Sequence, residues 1–122
     1  MPRFVILEHD YPRQHWDLMI EWGDSLRTWR LPGMPESGTP GMAEELSPHR
    51  LAYLDYEGPV SGDRGSVVRR ERGTFTVEGN TVDLLRVGLA GDHVRGQFRL
   101  DRVTGSHWSY QFFPSDDGRS TE

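Results

Sequence analysis

The segment His15-Trp16-Asp17-Leu18-Met19-Ile20-Glu21-Trp22 alternates without a break. Trp16, Leu18, Ile20 and Trp22 fall on one side, and His15, Asp17, Met19 and Glu21 on the other. Successive side chains of a strand point to opposite faces, so period two over eight residues predicts a half-buried β-strand and excludes an amphipathic helix. The surrounding sequence continues the theme. Residues 4–7 are an apolar, β-branched run that ends at Glu8-His9-Asp10, and a turn containing Pro12 separates them from the alternating segment. Gly23-Asp24-Ser25 is a second turn, leading into a strand over 26–31. Further strands are expected at 50–57, 66–70, 73–78, 81–87, 93–103 and 106–113, joined by short spacers that contain glycine. Between them, residues 32–48 are broken so often by proline and glycine that they read as one long loop, with at most a helical turn at 42–46. Many short strands on short connections imply an antiparallel barrel or sandwich, and we take the fold as all-β, a compact antiparallel β-barrel with little helix. The domain is expected to occupy 1–113, with a polar, frayed tail over 114–122.

Composition limits the partners. With 14 Gly, 8 Pro and only 34% hydrophobic residues, long helices have little room, and no window has the ~18 consecutive apolar residues of a membrane helix. There is no cysteine, hence no disulfide framework and no thiolate metal site. The start lacks signal-peptide character, and a soluble, cytoplasmic protein is expected. A net charge of −5 argues against a chain that coats nucleic acid indiscriminately. All 14 basic residues are nevertheless arginine, whose planar fork suits bidentate phosphate contacts.

Two constellations carry chemistry. His9, His15 and Asp17 form H-x5-H-x-D; alternation puts His15 and Asp17 on one face about 6.5–7 Å apart, and a hairpin would bring His9 back across from them. Two imidazoles and a carboxylate with open positions suit Mn2+, Zn2+ or Fe2+. The spacing alone equally allows a surface histidine, a packed histidine and a solvated aspartate. In the segment from His49 to Gly58, strand alternation places His49 and Tyr53 on the same side, where both can donate to a phosphate oxygen. The alternative is a core tyrosine beside a strand-edge histidine.

In order along the chain, these segments resemble one family. His9-Asp10-Tyr11-Pro12-Arg13-Gln14-His15-Trp16-Asp17-Leu18 is similar to the E-H-D-x4-H-x-D-x-R pattern of the phosphoesterase domain at the N-terminus of bacterial DNA ligase D. Trp29-Arg30-Leu31-Pro32 resembles its W-A-V-P, and His49 to Gly58 its H-P-L-E-Y-A-D-F-E-G. Arg72-Gly73-Thr74-Phe75 resembles its R-G-T-W, and Gly96 to Leu100, with Trp108 beyond, its G-R-W-x-L. The resemblance covers residues 3–113. It implies a β-barrel that trims nucleic-acid 3' ends, removing a 3'-phosphate or a 3'-terminal ribonucleoside with Mn2+ or a similar dication. His9, His15 and Asp17 would then be metal ligands, His49 and Tyr53 would face the phosphate, and Asp10 would orient a ligand imidazole from behind. The metal site is expected on the concave face of the barrel. Partners would be DNA or DNA/RNA primer-template 3' ends, together with end-joining ligase or polymerase proteins, although the chain itself reads as standing alone.

Three departures weaken the phosphate grip that this resemblance implies. Met19 stands where the family has an arginine two residues beyond the ligand aspartate. Gly33 follows the W-R-L-P segment in place of a lysine, and Gly41 stands near a further basic position. Arg30 and Arg50 are the favoured substitutes, with Arg27, Arg69, Arg70 and Arg72 behind them. A catalytically weak, metal-binding relative that acts as an accessory at nucleic-acid ends is therefore the alternative. An iron facial triad completed by His93 or His107 is a third and poorer reading.

Overall fold

The computed structural model describes residues 1–115. Nine strands run in chain order: β1 (Arg3–His9), β2 (His15–Trp22), β3 (Ser25–Leu31), β4 (Gly41–His49), β5 (Gly58–Pro59), β6 (Ser66–Asn80), β7 (Leu84–Gly91), β8 (Arg95–Thr104) and β9 (His107–Pro114). Eight of them pair antiparallel in the order β1-β2-β3-β4-β9-β8-β7-β6, and β6 returns to β1, so the sheet closes. The short β5 lies against the start of β6. The all-β barrel expected from the sequence is the observed fold. No helix among the described residues is long and apolar enough to cross a membrane.

Alternation accounts for the interior. Phe4 and Ile6 of β1, Leu18 and Ile20 of β2, and Trp29 and Leu31 of β3 point inward to meet Phe98, Leu100 and Trp108 from the far wall. Trp29 and Trp108 meet edge to face, with ring centroids 5.7 Å apart. The opposite face of the same strands is not left to water. Val5, Leu7, Met19 and Leu26 form a second, outer cluster with Val67, roofed by Leu54 and flanked by Leu51 and Tyr53. Hence the polar face of β2 is also buried, with Asp17 2% and Met19 1% exposed. The expectation of a strand half in water is corrected by this roof.

The roof corrects two further expectations. Residues 50–57 do not form a strand; Leu51–Leu54 is a 3-10 turn, closed by Tyr53 N–H to Arg50 O (3.0 Å) and Asp55 N–H to Ala52 O (3.1 Å). Leu51 and Leu54 are three apart, the repeat of a 3-10 turn, and this brings both toward the outer cluster. Arg3 donates to Asp55 at 2.8 Å and holds the end of the turn against β1; that bond keeps the Asp55 carboxyl below its ordinary range. Likewise, residues 32–48 are not one loop. Their second half is β4, paired with β3 on one side and β9 on the other. The β3–β4 register slips between the pairs Leu26–His49 and Thr28–Leu46, so Ser47 and Pro48 fall in an irregularity, where a missing N–H breaks no regular ladder bond. Residues 66–70 and 73–78 belong to one strand, β6, and His93 precedes β8 in a turn. Pro114 is still in β9, and the tail beyond Ser115 lies outside the described residues.

Candidate metal centre

His9 ends β1 and His15 opens β2, and the two are direct cross-strand partners. Their rings stand 4.9 Å apart between centroids. Asp17 follows His15 by two residues on the same face, and its Oδ2 lies 3.2 Å from His15 Nε2 and 3.9 Å from His9 Nδ1. One ligand atom from each residue lies within 4.8 Å of the others. All three come from one hairpin, and the cluster lies on the outer face of the barrel, beneath the 50–65 segment. The expected concave-face location is thereby corrected: the inward face of these strands is filled by the aromatic core.

The outer ring nitrogens show which atoms are free to ligate. His9 Nε2 is 2.9 Å from Arg64 O, and His15 Nδ1 is 2.8 Å from Arg13 O. A carbonyl only accepts, so these nitrogens carry the hydrogen, and in a neutral ring the other nitrogen keeps its lone pair. Those lone pairs, on His9 Nδ1 and His15 Nε2, face the Asp17 carboxylate. Its second oxygen, Oδ1, is buried with no hydrogen-bond partner. His15 Nε2 and Asp17 Oδ2 are within hydrogen-bond distance at 3.2 Å, and with His9 Nδ1 they form a converging donor set that fits a cation.

Asp10 is engaged elsewhere than expected. Its Oδ1 accepts the Ser66 N–H at 2.9 Å and touches neither imidazole ring. Gly65, at φ +74°, packs so closely on Asp10 that a Cβ there would come within 2.2 Å of Oδ1. Asp10 thus anchors the segment whose Arg64 carbonyl holds His9. Beside it, the Arg70 guanidinium holds the Glu8 carboxyl below the ordinary carboxylate range.

A cavity of about 290 Å³ opens beside the cluster, lined by His9, Asp17, Met19, Arg30, His49, Tyr53 and Arg64, among others. His49 donates Nδ1–H to Ser47 O at 2.9 Å, and no protein atom among the described residues bonds its Nε2. Tyr53 meets the His49 ring edge-on at 5.8 Å. The pair thus shares a side, through the 3-10 turn and not through strand alternation. The cavity walls also include Leu46, Val60 and Val67.

The structure does not bring every expected residue here. Arg50 lines a separate recess with Ala52, Tyr56 and Pro59. Arg27 is stacked over Trp29 at 4.7 Å and donates to Glu45 at 3.0 Å. His107 belongs to a neighbouring recess that also touches His15, and His93 lies with Arg69, Arg70 and Arg72 in a further one. Neither joins the two-histidine, one-aspartate cluster. Nothing in the sequence pattern singles out Arg64; the run of positive φ at Gly62, Asp63 and Gly65 around it is the signal of a tight turn that delivers its carbonyl.

The structure is thus a closed antiparallel barrel whose outer face carries a two-histidine, one-carboxylate cluster, a candidate metal site, beside a histidine-lined cavity. The chain belongs to the DNA Ligase D 3'-phosphoesterase domain family, whose sequence profile matches residues 7–102. It is 30% identical over 115 residues to the multifunctional non-homologous end joining DNA repair protein LigD of Mycobacterium tuberculosis, covering 86% of this chain. It is 28% identical over 111 residues to the multifunctional non-homologous end joining protein LigD of Pseudomonas aeruginosa, covering 83% of this chain. These alignments cover 15% and 13% of the two relatives, so the chain matches only a small part of each.

Proposed function

We propose that this chain is a divalent-metal-dependent phosphoesterase that removes a 3'-phosphate or a 3'-terminal ribonucleoside from nucleic-acid ends in DNA repair. Family membership supports the reaction class. The observation that carries the reading is the convergence of His9 Nδ1, His15 Nε2 and Asp17 Oδ2 beside a cavity that also holds His49 and Tyr53. These three residues would hold the cation; Mn2+ is the favoured occupant, and Zn2+ and Fe2+ suit the same donors. Bound there, a dication supplies neutralisation of phosphoryl oxygens and activation of water.

The chain's own groups do the rest. Hydrolysis forms a bond from phosphorus to a water oxygen and breaks the bond to the 3' oxygen for a 3'-phosphate, or to the 5' oxygen of a terminal ribonucleoside; the leaving oxygen departs as a hydroxyl and needs a proton. His49, with Nδ1–H committed to Ser47 O, has Nε2 available; protonated, that nitrogen donates to a phosphoryl or leaving oxygen. The Tyr53 hydroxyl, one 3-10 turn away, is a second donor. The relatives' end-joining names suggest broken DNA ends as the setting; ligase or polymerase proteins of end joining are the partners we propose on the family resemblance.

Met19 favours a second reading. Its thioether lines the cavity and donates no hydrogen bond, which fits a binding relative with little turnover. The test is Mn2+-dependent phosphate release from a 3'-phosphorylated primer. Wild type should release it, and His9→Ala and His49→Ala should not. Release that survives both substitutions would remove the site from the reaction.

A further inference from the structure

We infer that Arg30 is the phosphate-binding cation of this site, holding a 3'-terminal phosphate against the metal cluster from the neighbouring strand. The inference rests on the proposed action at 3' ends and supplies the positive charge which that reading needs. Arg30 is the cross-strand partner of Asp17, so its side chain leaves the sheet on the same face as the ligand aspartate. It lines the cavity with His9, Asp17 and His49, and also the larger recess beyond His15, so it stands at the passage between the two.

Its bonding is incomplete. Nε is buried with no hydrogen-bond partner, and the guanidinium approaches the Glu44 carboxylate only to 3.9 Å, beyond hydrogen-bond reach. A buried donor without a partner is costly unless a ligand meets it. Arginine presents its donors as a planar fork that matches two phosphate oxygens.

Arg64, the other arginine among the residues that line the cavity beside the cluster, is engaged. The Arg64 guanidinium donates to Ser61 O at 2.7 Å and Ser61 Oγ at 3.3 Å. Arg69 donates to Leu54 O and Arg70 to Glu8, while Arg72 approaches Asp92 to 3.7 Å in a recess away from the cluster. Met19, which lines the same cavity, offers an apolar wall and no charge.

Met19 thereby provides a rescue position. Binding is measured in Mn2+ with an oligonucleotide ending in a 3'-methylenephosphonate, which keeps the charge and resists cleavage, against the same oligonucleotide ending in a 3'-hydroxyl. Wild type should prefer the phosphonate end by about tenfold or more, as one charge-assisted contact gives. Arg30→Gln should erase that preference. Adding Met19→Arg to Arg30→Gln should restore most of it, which an unfolded barrel could not do. A preference that survives Arg30→Gln, or no preference in wild type, overturns the inference. If the preference depends on Arg30 while wild type releases no phosphate from a 3'-phosphorylated primer, the phosphate contact stands and the hydrolytic reading fails. Phosphate release with no dependence of binding on Arg30 keeps the hydrolytic reading and overturns the Arg30 contact.

Discussion

At the scale of single residues, Asp17 is in conflict with its surroundings until something positive arrives. It is buried, one oxygen has no partner, and the other meets His15 Nε2 at 3.2 Å and His9 Nδ1 at 3.9 Å. A carboxamide in its place has an NH2 group that can donate to His15 Nε2. Asp17→Asn keeps a polar contact to His15 Nε2 and removes a buried charge with one unpartnered oxygen, so it should raise the unfolding free energy of metal-free protein by about 1 kcal/mol. The same change should abolish Mn2+ binding. Urea unfolding in chelator and Mn2+ titration check the two halves; a loss of stability without metal would show that the carboxylate is already satisfied. His15→Ala should lower Mn2+ affinity at least tenfold with an unchanged far-ultraviolet spectrum, because it removes a ligand and leaves both hydrophobic clusters whole. His49→Ala should leave Mn2+ affinity within about twofold, and cut 3'-phosphate release by roughly 10²–10³, the usual cost of a lost transition-state donor.

At the scale of elements, β6 shows how one irregularity sorts charge between two faces. Its pairing with β1 slips between Ile6 and Leu7, so that Leu7 faces Arg69 while Ile6 faces Glu71, leaving Arg70 as the extra residue. Arg69 and Arg72 then share the outer side, and Glu71 turns toward the barrel end. There its carboxylate accepts backbone N–H groups from Arg72 (2.9 Å), Asp92 (3.1 Å), His93 (2.6 Å) and Val94. Glu71→Ala strands these donors, at about 1–3 kcal/mol for each that stays buried. We expect a loss of about 3 kcal/mol or more, read as a fall of about 1 M or more in the urea midpoint; a change under about 0.5 kcal/mol would mean water replaces the carboxylate freely. The same contrast explains what could be read from sequence. β2 and the convergence of His9, His15 and Asp17 are legible because period two and the H-x5-H-x-D spacing both live within one hairpin. β4 was hidden because Pro48 suggests a break, and only its partners reveal a register slip that tolerates it. The 3-10 turn was hidden because Leu51 and Leu54 suit a strand until the outer cluster needs both together. Arg64 enters the site through its backbone carbonyl, which no side-chain pattern encodes.

At the scale of the whole molecule, the β1–β2 hairpin is the common wall of both hydrophobic clusters. Phe4, Ile6, Leu18 and Ile20 lock it to the interior, and Val5, Leu7 and Met19 lock it to the outer roof. β1 also closes the barrel through β6, so the hairpin cannot leave without opening the sheet. Energy gained by a cation on this hairpin should consequently appear in global unfolding, and not only as local ordering. Binding to the folded state alone at about 100 times the dissociation constant contributes about 2.7 kcal/mol. For a barrel of this size that is a rise in thermal midpoint of roughly 10 °C. The measurement follows two signals in parallel: tryptophan fluorescence, which includes the buried Trp29–Trp108 pair, and far-ultraviolet circular dichroism for the sheet. Both should move upward together on adding Mn2+, return together on chelation, and fail to move in His15→Ala. A shift seen by one signal only would mean that the hairpin opens independently of the barrel. A shift that persists in His15→Ala would place the stabilising Mn2+ somewhere other than the His9, His15 and Asp17 cluster.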